Sequence, residues 1–191
     1  MSPSIATAAL KHLVYETNPP PTYTLADLQF TRESFVQATR LHGVYDTTDP
    51  DLRAFAGRGG RLILWHGMAD PHISPLNSVA YHAAMTRVMG AEQVEAFARL
   101  YLFPGGDHCA GGEGPFDMDL LGPVMAWVER GTRPFGIVAA RRTGGRPGPM
   151  AGIPPDAASP GPANEPAPAR VVRTRPVFPY PLTTRYNGSG S

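Results

Sequence analysis

A single cysteine, Cys109, stands in the 191 residues, so no disulfide can form within the chain. No apolar run approaches the roughly 20 residues that a membrane-spanning helix needs. Neither sign of charge dominates: 17 Lys and Arg are interleaved with 16 Asp and Glu, for a formal net charge of +1. That balance excludes the basic stripe of a nucleic-acid groove and the polybasic face of a membrane-surface protein. The first 15 residues, MSPSIATAALKHLVY, lack the basic segment, apolar core and cleavage site of a signal peptide. No export signal is therefore expected, and the compartment is left open. The pattern Gly-x-Ser-x-Gly, a strained turn that presents a nucleophilic serine, is absent. Ser34, Ser74 and Ser78 of the candidate folded part lack small residues on both sides.

Glycine and proline are abundant, 21 and 22 residues, and much of the excess follows Arg141. The composition divides the chain into four parts. Residues 1–56 read as a lead-in segment, with a short element at 10–15, a stop at the prolines 19–21 and a helix over 30–41. At 47–52, TTDPDL, Asp49 is expected to cap a helix that starts at Pro50. Residues 57–140 carry the folded part. Within it, 59–67 reads as a buried strand, since 62–65 is continuously apolar and flanked by glycines. A helix is expected at 77–89, ended by Gly90, and a helix or loop at 91–98. A strand follows at 99–103. The last helix lies within 116–130, starts at Pro123 and is closed by Gly131. Residues 141–172 read as a disordered Pro/Gly-rich linker that cannot bury a core. Residues 173–191 read as an extended C-terminal strap. Strand, helix, strand, helix predicts an α/β fold with parallel strands and crossover helices. Two strands are too few for a stable open sheet, so the central strands are expected from elsewhere.

Two short motifs carry the chemistry. Residues 65–71, WHGMADP, follow the first strand, and residues 104–109, PGGDHC, follow the second. Each places a polar group on a tight glycine-containing loop at a strand end. An Asp at one strand end and a His at a later one is how an α/β-hydrolase presents the last two members of its Ser, Asp, His triad. Asp70 is the candidate carboxylate, which would accept the imidazole Nδ1 proton and fix the productive tautomer. His108 is the candidate general base, with glycines at 105, 106, 111, 112 and 114 allowing close backbone approach to a substrate. The ordinary alternatives are a turn Asp before a proline and a surface-loop His.

The remaining histidines have weaker contexts. His66 is expected to pack beneath the Asp loop and His72 to line a cleft, while His12, His42 and His82 carry no such signal. A metal-dependent alternative combines His66, Asp70, His72 and His108 as N/O ligands. The His66–Asp70 spacing falls on a loop, however, and no His-Glu-x-x-His motif accompanies it. Cys109 is a poor partner for His108 as a nucleophile, because consecutive side chains on extended backbone diverge.

The span 45–139 resembles the C-terminal part of the tannase and feruloyl esterase family, α/β-hydrolases that cleave esters of aromatic acids. The resemblance rests on YDTTDPDL at 45–52, GGRLILWHGMADPHISP at 59–75, PGGDHCAGG at 104–112, and WVERG at 127–131 followed by Pro134. The tail TRPVFPYPLTTRYNGSG at 174–190 is similar as well. The H-G-x-x-D-P-x-I-x-P and P-G-x-x-H-C pair, about 40 residues apart in that order, is its most specific element. The resemblance implies that Asp70 and His108 are the triad Asp and His. It implies that Cys109 matches a cysteine bonded, in the family, to the cysteine just before the nucleophilic serine. That makes Cys109 a disulfide candidate whose partner lies on another polypeptide or is missing. It also implies that the serine elbow, the oxyanion-hole donors and a calcium-binding lid belong upstream of Met1, and that Phe178 replaces a cysteine common in relatives. No cofactor is expected on this chain itself. The fold expected is a partial α/β-hydrolase fold, its last parallel strands and crossover helices, followed by the Pro/Gly-rich segment.

Three functional readings follow. One is the Asp/His-bearing part of a serine carboxylic ester hydrolase, acting on an aromatic ester substrate when a Ser-bearing half completes it and inactive alone. The second is a non-catalytic truncated remnant or partner-binding half with an exposed sheet edge. The third is the small metal-dependent hydrolase. None calls for nucleic acid or membrane.

Overall fold

A computed structural model describes residues 2–108, 111–143 and 170–188. The chain divides into two units, Met1–Asp49 and Pro50–Ser191. The lead-in expected to end at 56 therefore ends at 49. The physical reason is apolar: Leu52 and Ala56 pack against a buried cluster of the second unit.

The first unit is helical. It contains α1 (Ser2–Ala9), a π-helical turn at Leu10–Val14, a 3₁₀ turn at Leu25–Asp27, α2 (Arg32–Thr39) and α3 (His42–Tyr45). Thr24 and Asp27 form a reciprocal capping box, and the Thr31 hydroxyl accepts from the Ser34 N–H at 3.2 Å to start α2. Leu10 is the one large hydrophobic that is fully buried among the described residues of this unit, and Phe30 is 95% exposed. Local capping and turn hydrogen bonds, rather than a core, account for its form.

In the second unit α4 (Arg53–Gly57) begins at Arg53, so Asp49 and Pro50 do not start it as expected. β1 (Leu62–Gly67) and β2 (Ala98–Phe103) pair in parallel, in register from Leu62 opposite Ala98 to Gly67 opposite Phe103. They match the two strands expected from the apolar runs. The crossover consists of α5 (Pro75–Met89) and α6 (Ala91–Phe97). The Ser74 hydroxyl accepts from the Leu76 N–H, Pro75 occupies the first turn, and Gly90 ends α5 at φ +87°.

Alternation along the strands sends side chains to two buried layers. Leu62, Leu64 and Ala98 meet Met85, Val94 and Phe97 beneath α5 and α6. Ile63, Trp65, Tyr101 and Phe103 meet Phe116, Met118, Ile137 and Val177 on the opposite face. The Tyr101 hydroxyl donates to the Pro134 carbonyl at 3.0 Å, and burial pushes its phenol up to about 12. On that face α7 (Leu121–Arg130) brings Trp127 under the guanidinium groups of Arg99 and Arg61, 5.5 and 5.7 Å from the ring. α7 starts two residues before Pro123, where the Asp119 carboxylate accepts from the Gly122 N–H. Gly131 closes it in the left-handed conformation.

Two strands were not expected. β3 (Ile137–Thr143) and β4 (Arg170–Val177) pair antiparallel. They take the first and last three residues of the expected 141–172 linker, whose remaining part, 144–169, lies outside the described residues. Beyond β4 the strap continues alongside β2, where Tyr101 bridges Pro179 and the Tyr180 N–H donates to the Leu100 carbonyl at 2.8 Å. The tail is thus extended, as expected, but its first part belongs to a sheet.

Candidate active site

The site sits at the C-terminal ends of β1 and β2, where ligands gather in parallel sheets. Because the strands are neighbours in exact parallel register, the loops that follow them emerge side by side. Hydrogen bonds then stitch those loops together: the Met68 N–H donates to the Phe103 carbonyl and the Ala69 N–H to the Gly106 carbonyl, both at 2.9 Å. Gly67 permits this approach. A Cβ there would lie 2.4 Å from the Gly106 carbonyl oxygen and 2.5 Å from that of Asp107. Gly112 does the same within the second loop. It has φ +96°, and a Cβ would meet the Gly105 carbonyl oxygen at 2.1 Å.

This framework brings Asp70 and His108 together. His108 Nδ1 lies 2.8 Å from Asp70 Oδ2. With a carboxylate as acceptor, Nδ1 carries the proton, so neutral His108 keeps its lone pair on Nε2. The Asp70 side chain is 4% exposed and that of His108 29%. Asp70 Oδ1 accepts from the backbone N–H groups of His72 at 2.8 Å and Ile73 at 3.0 Å. Burial works most strongly against the Asp70 charge, but the Ile73 N–H, the His108 ring and the His72 N–H together outweigh it. The carboxyl is held well below its usual range. The pair thus joins a buried carboxylate whose ionised form is favoured to a partly exposed imidazole, the arrangement that stabilises an imidazolium once a proton is taken up at Nε2.

Around the pair, the other expected residues separate. His72 packs edge-on against the His108 ring at 5.4 Å between centroids. His66 lies under the Asp loop as expected, with Nε2 3.1 Å from the Ile73 carbonyl and 3.3 Å from Asp70 Oδ2. Its Nδ1 meets the Ser78 hydroxyl at 2.7 Å. That contact was not legible in the sequence, where the only signal was the four-residue spacing of His66 and Asp70. The metal reading is corrected here: among the described residues no group of three or more His, Cys, Asp or Glu could hold a metal ion. His108 instead donates a ring N–H to the Asp70 carboxylate, and His66 donates one to the Ile73 carbonyl. Ser74 is a helix cap and Ser78 a partner of His66, and neither is hydrogen-bonded to His108. Cys109 lies outside the described residues. Phe178 packs against Phe135 at 5.3 Å. No helix among the described residues is long and apolar enough to cross a membrane.

Comparison with known proteins places the chain. Residues 7–191 match the family model described as tannase and feruloyl esterase. The chain belongs to the tannase and feruloyl esterase family. It is 40% identical over 162 residues to a mono(2-hydroxyethyl) terephthalate hydrolase of Piscinibacter sakaiensis, covering 85% of this chain and 22% of that protein. It is 30% identical over 171 residues to a probable feruloyl esterase of Arthroderma benhamiae, covering 87% of this chain and 27% of that protein. The chain therefore spans about a quarter of the length of these relatives. A crystal structure of an esterase from Aspergillus oryzae superposes with a TM-score of 0.70 at 24% identity, over 96% of this chain and 34% of that one. Feruloyl esterase B from the same organism gives 0.66 at 22% identity, over 97% and 35%. These two carry the fold: helices and parallel strands of the α/β-hydrolase type. The family is one of carboxylic ester hydrolases.

Proposed function

We propose that this chain supplies the Asp and His members of a serine esterase site for esters of aromatic carboxylic acids. The serine nucleophile and oxyanion donors come from polypeptide outside these 191 residues. The observation that carries the reading is the 2.8 Å bond between Asp70 and His108 across the ends of two adjacent parallel strands. In the completed site the serine hydroxyl attacks the ester carbonyl and passes its proton to His108 Nε2. Asp70 holds the resulting imidazolium. His108 then protonates the departing alcohol and activates the water that hydrolyses the acyl-enzyme. The aromatic acid class rests on the family and on the relatives' names.

The sheet supports a second polypeptide segment. Among the described residues β1 has a ladder partner on one side only. An unpaired edge of this kind accepts a further strand. The same edge is what a purely partner-binding half would use; the Asp70–His108 pair is what supports the esterase reading over it.

The test is co-expression of the full chain with a Ser-bearing segment taken from a relative, followed by an ester hydrolysis assay. Aromatic-acid esters are expected to be cleaved by the pair, and His108→Ala is expected to abolish that cleavage. An assembled pair whose activity ignores His108→Ala would refute the proposal. So would hydrolysis by the chain by itself.

A further inference from the structure

The Asp70 carboxylate has three hydrogen-bond donors, and a further ring nitrogen beside it is outside any Ser, His, Asp triad. Oδ1 takes the two backbone N–H groups, and Oδ2 takes His108. That neighbour is His66 Nε2, hydrogen-bonded to the Ile73 carbonyl at 3.1 Å and 3.3 Å from Oδ2. A carbonyl oxygen only accepts, so Nε2 must carry the hydrogen. In a neutral imidazole the other nitrogen is then an acceptor. The Ser78 hydroxyl, 2.7 Å away, is its donor. Ser78 lies in the first turns of α5, and the His66 side chain is 13% exposed.

We infer that His66 is a positioning residue for the Asp70–His108 pair, and that Ser78 anchors its ring. The chain of donors runs from the Ser78 O–H to His66 Nδ1, and from His66 Nε2–H to the carbonyl of Ile73, whose own N–H donates to Asp70 Oδ1. It ties the Asp loop to α5, so the orientation of Asp70 does not depend on His108 alone. Without the Ser78 hydroxyl the Ile73 carbonyl still holds the proton on Nε2, but the ring loses its tie to α5 and no longer fixes the Asp loop.

This inference rests on the esterase reading of the site, but its test reads the histidines themselves. The full chain is labelled with ¹⁵N-histidine, and tautomers are assigned by long-range nitrogen–proton correlation. His66 is expected with its proton on Nε2, and His108 with its proton on Nδ1. Ser78→Ala is expected to shift the His66 Nδ1 resonance as its hydrogen bond is lost and to weaken the hydrogen-bonded Nδ1 proton signal of His108. Ser78→Thr, which keeps the hydroxyl, is expected to restore both signatures. A His66 proton on Nδ1 in the parent chain would overturn the inference, as would a Ser78→Ala spectrum identical to the parent. Loss of both signatures in Ser78→Thr as well as Ser78→Ala would overturn it too, since packing rather than the hydroxyl would then be responsible. If His108 in the parent lacks its Nδ1 proton while His66 keeps the expected form, the esterase reading fails and the Ser78–His66 link stands.

Discussion

Replacing Gly67 by alanine is expected to separate the two loops that carry the site. The added Cβ would stand 2.4 Å from the Gly106 carbonyl oxygen, where ordinary contact begins at 3.4 Å. Both opposing atoms, the carbonyl oxygens of Gly106 and Asp107, are backbone and cannot rotate aside. The loops must therefore part by roughly 1 Å, the scale of a costly overpacking displacement. The Ala69 N–H bond to the same Gly106 oxygen, 2.9 Å in the parent, does not survive a shift of that size. Overpacking of this kind costs about 1–3 kcal/mol. The lost hydrogen bond adds about 0.5–1.5 kcal/mol. A total of about 2–4 kcal/mol lowers the melting temperature of a unit this size by roughly 5–15 °C. The same displacement stretches the Asp70–His108 bond, and misplacement by about 1 Å costs on the order of 10²-fold in rate once a site is complete. Differential scanning calorimetry of Gly67→Ala measures the first effect. Gly57→Ala is the control, because a Cβ there meets nothing within 4 Å. A Gly67→Ala melting temperature within about 1 °C of the parent would refute the close-approach argument.

Two further predictions concern charge and packing. The Asp70 carboxyl is held below its ordinary value of 3.8, so its ionised form stabilises the fold above that value and the contribution fades as pH falls through the lower, folded value. Asp70→Asn removes that pH-dependent contribution, so its urea midpoint should vary less than the parent's between pH 5 and pH 2; equal slopes would count against the charge argument. It also turns an amide N–H toward one or both histidines, and a His108 proton moved to Nε2 in the labelled spectrum is the expected sign. Phe116 underlies the His loop, packed at 5.7 Å from both Trp65 and Phe103 and 3% exposed. Phe116→Ala is expected to cost about 3–5 kcal/mol, read as a shifted denaturation midpoint, and a cost under about 1 kcal/mol would contradict its place in the core.

The site was legible because its determinants are local. An apolar run ending in glycine, then a polar residue before a proline, marks a strand that delivers Asp70 to a turn. The same logic placed His108 after Phe103. Parallel register then brought the two together, which no local pattern encodes. β4 was hidden for the opposite reason. Its sequence, RVVRTRPV, mixes arginines and a proline with few apolar residues, and seven of its eight residues remain exposed. Its pairing with β3 comes from backbone hydrogen bonds and from Val177 at its end, which is buried. The boundary at Asp49 was missed because Asp49 and Pro50 look like a helix start. The second unit in fact begins at Pro50, and Leu52 packs against the core before α4 starts at Arg53. The Ser78–His66 contact joins residues 12 apart across a loop and a helix turn, a distance at which sequence spacing carries no signal.

The most direct test of the central claim is fluorophosphonate labelling of the full chain assembled with a Ser-bearing segment, read by the intact mass of both polypeptides. A single adduct on the partner segment is expected, abolished by His108→Ala and strongly reduced by Asp70→Asn, with this chain unmodified. An adduct on this chain, or one on the partner that persists in His108→Ala, would contradict the assignment of Asp70 and His108.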